Sequence, residues 1–129
     1  MNVYANYIRT IPLALDLAAL TNTCGIANLL VNQKFSGHPV AYSNDDSAPL
    51  STSIFNEYNF LLLPLPGVHE LYEAIRSNFR HISGKTNPHF IGCWLNYYKE
   101  NDYLGWHKHW KAEANSWHGY YCVNAEPSI

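Results

Sequence analysis

Three of the seven histidines lie close together near the C-terminal end of the chain, at His107, His109 and His118. His107 and His109 are two positions apart, so on a β-strand both imidazoles would project from the same face. A hairpin in the connection that follows would bring His118 back onto the neighbouring strand. Imidazole nitrogens bind iron, zinc, copper and nickel. The spacing fits a three-histidine metal site, and it equally fits hydrogen-bonded histidines on a partly buried sheet beside Trp106 and Trp110.

The residues upstream suggest a more specific role for His107. Asn96 and Tyr98 belong to an N-Y-Y sequence, and a polar turn separates it from the H-K-H sequence that starts at His107. This order resembles the iron(II)/2-oxoglutarate-dependent dioxygenases, whose core carries an N-x-Y strand, a turn and an H-x-D/E pair. The resemblance runs from about Cys93 to Asn124. It implies that Asn96 and Tyr98 contact the co-substrate 2-oxoglutarate and that His107 is the first iron(II) ligand.

The chain departs from that family in two respects. His109 stands where the family has a carboxylate, so the metal ligands implied here are His107, His109 and His118, with Glu113 as the nearest acidic substitute. Members of the family also continue through further strands that carry another histidine and an arginine. The chain therefore resembles a C-terminally truncated member, similar to the forms found in marine bacteriophages. No catalytic acid or base is assigned.

The surrounding elements are predicted from hydrophobic periodicity and turn residues. Apolar residues at helical spacing predict helices from Asp16 to Asn32 and from Gly67 to Ser83, the second ending at Gly84. A long loop rich in Ser, Pro, Asp and Gly is expected at 33–53. β-Branched, aromatic or alternating residues predict strands at 2–13, 40–42, 58–65, from His89 to a turn near 100–102, and at 103–110 and 119–124.

This order of elements predicts an α+β fold with N-terminal helices packed on an antiparallel sheet. A chain of 129 residues forms one domain. Residues 1–84 are expected to be a helical support region. The resemblance implies that residues 85–129 begin the core of a partial double-stranded β-helix, which is a jelly-roll-like and cupin-like architecture. The unclosed sheet edge would favour a homodimer.

Composition limits the kinds of partner. The net charge is −2 and no run of Lys or Arg stands out, which argues against bulk nucleic-acid binding. The longest apolar stretches are too short to cross a membrane. Cys24, Cys93 and Cys122 are widely spaced and form no disulfide framework, which predicts a reducing cytoplasm, or the host cytoplasm for a viral protein.

These observations lead to three functional hypotheses. The first is an iron(II)/2-oxoglutarate-dependent oxygenase-like protein that hydroxylates an unknown substrate when its site is complete. The second is a non-catalytic binding or assembly protein, of viral type, that keeps the fold without the full metal site. The third is a small structural zinc or iron site made by His107, His109 and His118.

Overall fold

A computed structural model of the chain describes residues 8–37, 49–103 and 117–124. These residues form helix α1 (Leu17–Lys34), the short helix α2 (Leu50–Ser53), a 3₁₀ helix (Phe60–Leu62) and helix α3 (Val68–Ser83). Within the described part of the chain, no helix is both long and apolar enough to cross a membrane.

Helix α1 confirms the first predicted helix and continues it to Lys34. Asp16 is the N-cap, and its carboxylate accepts a hydrogen bond of 3.0 Å from the backbone N–H of Ala19. Such a cap satisfies one of the backbone donors that the first helical turn leaves free. The buried positions recur every three or four residues, as an amphipathic helix requires, at Leu20, Cys24, Ala27 and Val31.

Helix α3 confirms the second predicted helix. It begins after Gly67, which has a left-handed backbone, and it ends at Gly84, whose N–H donates to the carbonyl of Arg80. Glycine adopts this left-handed conformation without the steric cost that other residues meet. Val68 and Leu71 face the core. The stop signal at Gly84 was therefore correctly predicted from the sequence alone.

The core lies between α1, α3 and the segment that contains the 3₁₀ helix. Its buried members come from across the described chain: Cys24, Ala27, Phe60, Val68, Leu71 and Leu95. A polar contact joins helix α1 to the segment just before α3, since the hydroxyl of Thr23 donates to the carbonyl of Pro66 at 2.6 Å. Tyr121 and Val123 pack against the same cluster, so residues 117–124 also contribute to it.

The predicted sheet is wrong for the part of the chain that the structure describes. Those residues are helical or irregular and contain no β-strand. The α+β fold with an antiparallel sheet, the partial double-stranded β-helix and the jelly-roll-like or cupin-like description are therefore corrected to a helical architecture. The described residues of 85–129 do not begin a β-helix core.

Individual strand predictions fail in different ways. The segment 58–65 contains the 3₁₀ helix instead of a strand, with Asn59 as its N-cap. Residues 8–13 and 119–124 are not strands, whereas 2–7, 40–42 and 104–110 lie outside the described residues. The segment 88–99 contains no helix, turn or bend. The predicted turn follows it, and there the N–H of Asp102 donates to the carbonyl of Lys99. The predicted loop 33–53 contains the last residues of α1 and the whole of α2. Its central residues, 38–48, lie outside the described residues.

Residues 88–99 do not form a strand because their hydrogen-bonding neighbours do not form a second strand. Alternating apolar residues indicate an extended, half-buried chain, but a strand also needs a neighbouring backbone that forms a ladder of hydrogen bonds. Here the N–H of Phe60 bonds the carbonyl of Cys93 at 2.8 Å, and side chains satisfy other backbone groups nearby. The strand predicted from His89 is therefore wrong, because the neighbours that bond this segment do not form a second strand.

Candidate functional site

The segment that carries Asn96 and Tyr98 is held in place by two consecutive polar side chains. The amide nitrogen of Asn59 donates to the carbonyl of Ile91 at 2.9 Å, and its amide oxygen accepts from the N–H of Cys93 at 3.3 Å. The hydroxyl of Tyr58 accepts from the N–H of Leu95 at 2.7 Å. These bonds satisfy backbone groups that a sheet would otherwise pair, and they position the chain immediately before Asn96.

Asn96 is fixed by helix α2. The hydroxyl of Thr52 donates to the amide oxygen of Asn96 at 3.0 Å, and it also lies 3.5 Å from the carbonyl of Leu95. Because the oxygen of the Asn96 amide faces Thr52, its NH2 group points away and carries the two donors of that side chain. Asn96 and Tyr98 are both exposed. Both predicted co-substrate contacts therefore lie at the surface of the protein.

An aromatic row lies next to this surface and consists of Phe55, Trp94, His118 and Tyr120. The ring centroids of Trp94 and His118 are 5.6 Å apart. Phe55 lies 5.3 Å from Trp94, and Tyr120 meets His118 edge-on at 5.1 Å. Aromatic pairs at such separations and tilts attract each other. The row therefore holds residues 117–120 alongside the segment that carries Asn96.

The structure brings three of the five predicted site residues into one region. Asn96 and Tyr98 lie on one segment, and His118 contacts Trp94, which precedes Asn96 by two positions. His107 and His109 lie outside the described residues. Within 8–37, 49–103 and 117–124, no group of three or more His, Cys, Asp or Glu side chains could hold a metal ion.

The residues that hold the segment carrying Asn96 in place were not predicted from the sequence to do so. Tyr58 and Asn59 were assigned to a strand, and Thr52 to a loop. An asparagine directly before an apolar run is a recognisable turn-former and helix cap, so Asn59 could have been found. Nothing in the sequence S-T-S marks residues 51–53 as buried, because hydroxyl side chains are usually exposed.

Burial keeps three acidic groups of the core protonated. It raises the pKa of Cys93 to about 11, with a smaller contribution from nearby Cys24, and it raises the pKa of the Cys24 thiol as well. Burial also raises the pKa of Tyr58, although the hydrogen bond from the backbone of Leu95 opposes this shift. Tyr58 therefore keeps its proton, and its hydroxyl donates to the carbonyl of Ser51 at 2.8 Å while accepting from Leu95.

Stability should fall at alkaline pH because of these groups. The Cys93 thiol ionises near its ordinary pKa of 9.0 in the unfolded chain and near 11 in the folded chain. Its contribution is therefore complete below pH 9 and is lost as the pH rises to about 11. We expect the free energy of unfolding to drop by on the order of 2 kcal/mol over this range, measured by urea denaturation at a series of pH values.

Two substitutions separate the contribution of Cys93 to the alkaline loss of stability from the contribution of other groups. Cys93→Ser removes the titrating thiol and should make the decrease between pH 9 and 11 shallower. Cys122→Ser is the matched control, since Cys122 is exposed, and it should leave the pH profile unchanged. An identical slope in the wild type and Cys93→Ser would show that burial of this thiol does not govern the alkaline transition.

Comparison of the chain with protein-family models, with curated proteins and with solved structures finds no match. Function must therefore be argued from the residues of this chain.

Proposed function

We propose that the protein is an iron(II)/2-oxoglutarate-dependent oxygenase-like protein. In this proposal His107, His109 and His118 hold the metal, and Asn96 and Tyr98 contact the co-substrate. The observation that carries it is the contact between His118 and Trp94, since it places one histidine of the cluster beside the segment that bears Asn96 and Tyr98. The proposal keeps the site residues that the sequence resemblance implies, but it does not keep the double-stranded β-helix fold.

The chemistry of the side chains suits these roles. Neutral imidazole is a good ligand for iron(II), and bound iron(II) with 2-oxoglutarate and oxygen supplies the oxidising power to hydroxylate a C–H bond. The NH2 group of Asn96 can donate to a carboxylate oxygen, and the hydrogen bond from Thr52 orients it. The phenol of Tyr98, two residues further along the same segment, is a second exposed group that can donate.

The aromatic row has a separate role in the proposed site. Its rings cover the side of the segment that precedes Asn96, and Trp94 and Phe55 are half-buried. Large apolar rings exclude water, which strengthens hydrogen bonds between a bound ligand and the protein. We infer that Trp94 and Phe55 shield the co-substrate contacts while holding His118 in position.

Anaerobic titration with iron(II) and 2-oxoglutarate tests the proposal. The wild type should bind iron(II) and show the weak visible charge-transfer band of such complexes. His118→Ala should lower iron affinity by more than about 100-fold, because loss of a ligand should exceed the 10–100-fold cost of changing groups that only orient one. His81→Ala, on an exposed position of α3, is the control and should bind normally.

Two results would contradict the proposal. One is the absence of the band in a folded wild-type protein that has been loaded with iron(II) and 2-oxoglutarate. The other is unchanged iron content in His107→Ala. Loss of helical structure on chelation would instead support the structural metal site, since metal binding is then coupled to folding.

A non-catalytic binding or assembly protein is the second candidate, and the exposed apolar side chains favour it. Phe90 is 90% exposed, Leu62 is 79% exposed and Tyr120 is 73% exposed. Another protein that covered such side chains would gain the free energy of burying their apolar area. Sedimentation velocity distinguishes this candidate: a folded protein that binds no iron but associates as its concentration rises would support assembly over catalysis.

A further inference from the structure

The backbone around Gly92 is hydrogen-bonded on the side that faces Asn59. The amide nitrogen of Asn59 donates to the carbonyl of Ile91 at 2.9 Å, and its amide oxygen accepts from the N–H of Cys93 at 3.3 Å. One side-chain amide thus bonds the residues before and after Gly92, much as the backbone of a neighbouring strand would do. The polar groups of Gly92 itself take no part in these bonds.

The N–H and the carbonyl of Gly92 point to the opposite side. All peptide bonds of the described residues are trans, and a trans peptide directs the carbonyl of one residue and the N–H of the next in opposite directions. Since the carbonyl of Ile91 and the N–H of Cys93 both face Asn59, the two groups of Gly92 face away from it. Neither group has a hydrogen-bond partner among the residues that the structure describes. A paired donor and acceptor on an exposed residue form a template for another extended chain.

Gly92 and Phe90 together shape this surface, which we call the Gly92 edge. Gly92 is exposed and has no side chain to obstruct the approach of another backbone. The ring of Phe90 lies beside it, because a Cβ atom on Gly92 would be 3.1 Å from Cε1 of Phe90. That ring is 90% exposed. An aromatic ring beside an edge glycine supplies the side-chain contact that the glycine lacks.

The charge around the Gly92 edge is positive. Between residues 74 and 99 the chain has no Asp or Glu, and its Lys and Arg residues there are Arg76, Arg80, Lys85 and Lys99. Arg76 pairs with Glu73, whereas the other three are exposed. The rings of Phe79 and His89 are 4.5 Å apart, which brings the start of the segment against the turn of α3 that carries Arg80. A second copy of the chain would place like charges together, so an acidic partner fits better.

We propose that the Gly92 edge binds an extended, acidic segment of a partner protein by strand addition. The backbone of the partner donates to the carbonyl of Gly92 and accepts from its N–H. A β-branched side chain of the partner covers the ring of Phe90, and its carboxylates lie toward Arg80 and Lys85. Exposed strand edges bind peptides in this way, with backbone bonds giving affinity and side chains giving specificity. The inference involves none of the residues assigned to iron or 2-oxoglutarate.

Selection from a displayed library of random heptapeptides on the folded full chain tests this proposal. The wild type should enrich peptides in which β-branched residues alternate with Asp or Glu. Gly92→Pro removes the N–H donor of the edge and should raise the Kd of a selected peptide about tenfold, measured by fluorescence anisotropy. Gly92→Ala is the matched control. It keeps the donor, requires only the exposed ring of Phe90 to shift, and should bind nearly as tightly as the wild type.

A second pair of variants tests the charge. Lys85→Gln removes a positive charge near the edge and should weaken binding of the selected peptide, with a smaller loss at high salt. Lys34→Gln, at the end of α1, removes the same charge elsewhere and should leave the Kd unchanged.

Phe90→Ala keeps the test decisive if Gly92→Pro does not fold. The side chain of Phe90 is almost fully exposed, so its removal should preserve the midpoint of urea unfolding while weakening peptide binding. The proposal is overturned by a library that yields no enriched peptide, by enrichment of basic peptides, or by equal affinity in the wild type and Phe90→Ala. Dimerisation of the wild type that Phe90→Ala abolishes would identify a second copy as the occupant, and would also overturn it.

Discussion

Replacing Phe60 with alanine is expected to lower the free energy of unfolding by about 3–5 kcal/mol. Phe60 is 3% exposed and belongs to the core cluster that joins α1, α3 and Leu95. Removing its ring takes apolar area from the core and leaves a cavity that the surrounding side chains fill only in part. Urea denaturation followed by far-ultraviolet circular dichroism measures the change.

Leu62→Ala is the matched control for this substitution, because Leu62 lies in the same 3₁₀ helix but is largely exposed. Its effect should stay within about 0.5 kcal/mol. Comparable losses in the two variants would mean that the 3₁₀ helix, and not the burial of Phe60, determines stability here.

Gly67→Ala should destabilise the protein by about 2–3 kcal/mol, for two reasons that act together. Gly67 has a φ of +83°, in the left-handed region that disfavours residues with a Cβ atom. A Cβ atom would also lie 3.0 Å from Cδ2 and 3.1 Å from Cγ of Leu20. Leu20 is 1% exposed, so it can shift only by disturbing the core. Thermal and urea unfolding would both record the loss.

Gly25→Ala is predicted to act in the opposite direction. Gly25 lies inside α1, and a Cβ atom built there meets nothing within 4 Å among the described residues. Alanine restricts the unfolded chain more than glycine does, and it is the better helix former. We expect a gain of about 0.5–1 kcal/mol. Destabilisation by both substitutions would contradict the geometric explanation given for Gly67.

Local signals predicted α1 and α3 well. The Asp16 cap, the Gly84 stop and the buried positions of α1 all depend on residues within a turn or two of one another. Helix formation and termination are governed by such short-range interactions. The same reasoning identified the turn at 100–102, in which Asn101 has a positive φ of 70°.

The sheet could not be predicted in the same way. The sequence from His89 onward has the alternation of a half-buried strand, and the chain there is indeed free of helix, turn and bend up to residue 99. Whether such a chain joins a sheet depends on what lies beside it. Here its neighbours include Tyr58, Asn59 and Phe60, which are more than thirty residues earlier in the chain. No local pattern encodes that pairing.

The sequence by itself determined the two long helices, the Asp16 cap and the Gly84 stop. It also gave the chemical identity of the candidate site residues Asn96, Tyr98, His107, His109 and His118. These depend on side-chain chemistry and on spacing along the chain. Only the tertiary structure decided that helix α2 is buried, that Thr52 holds Asn96 and that His118 lies against Trp94. Each of these joins residues distant in sequence, and burial arises from the packing of the whole core.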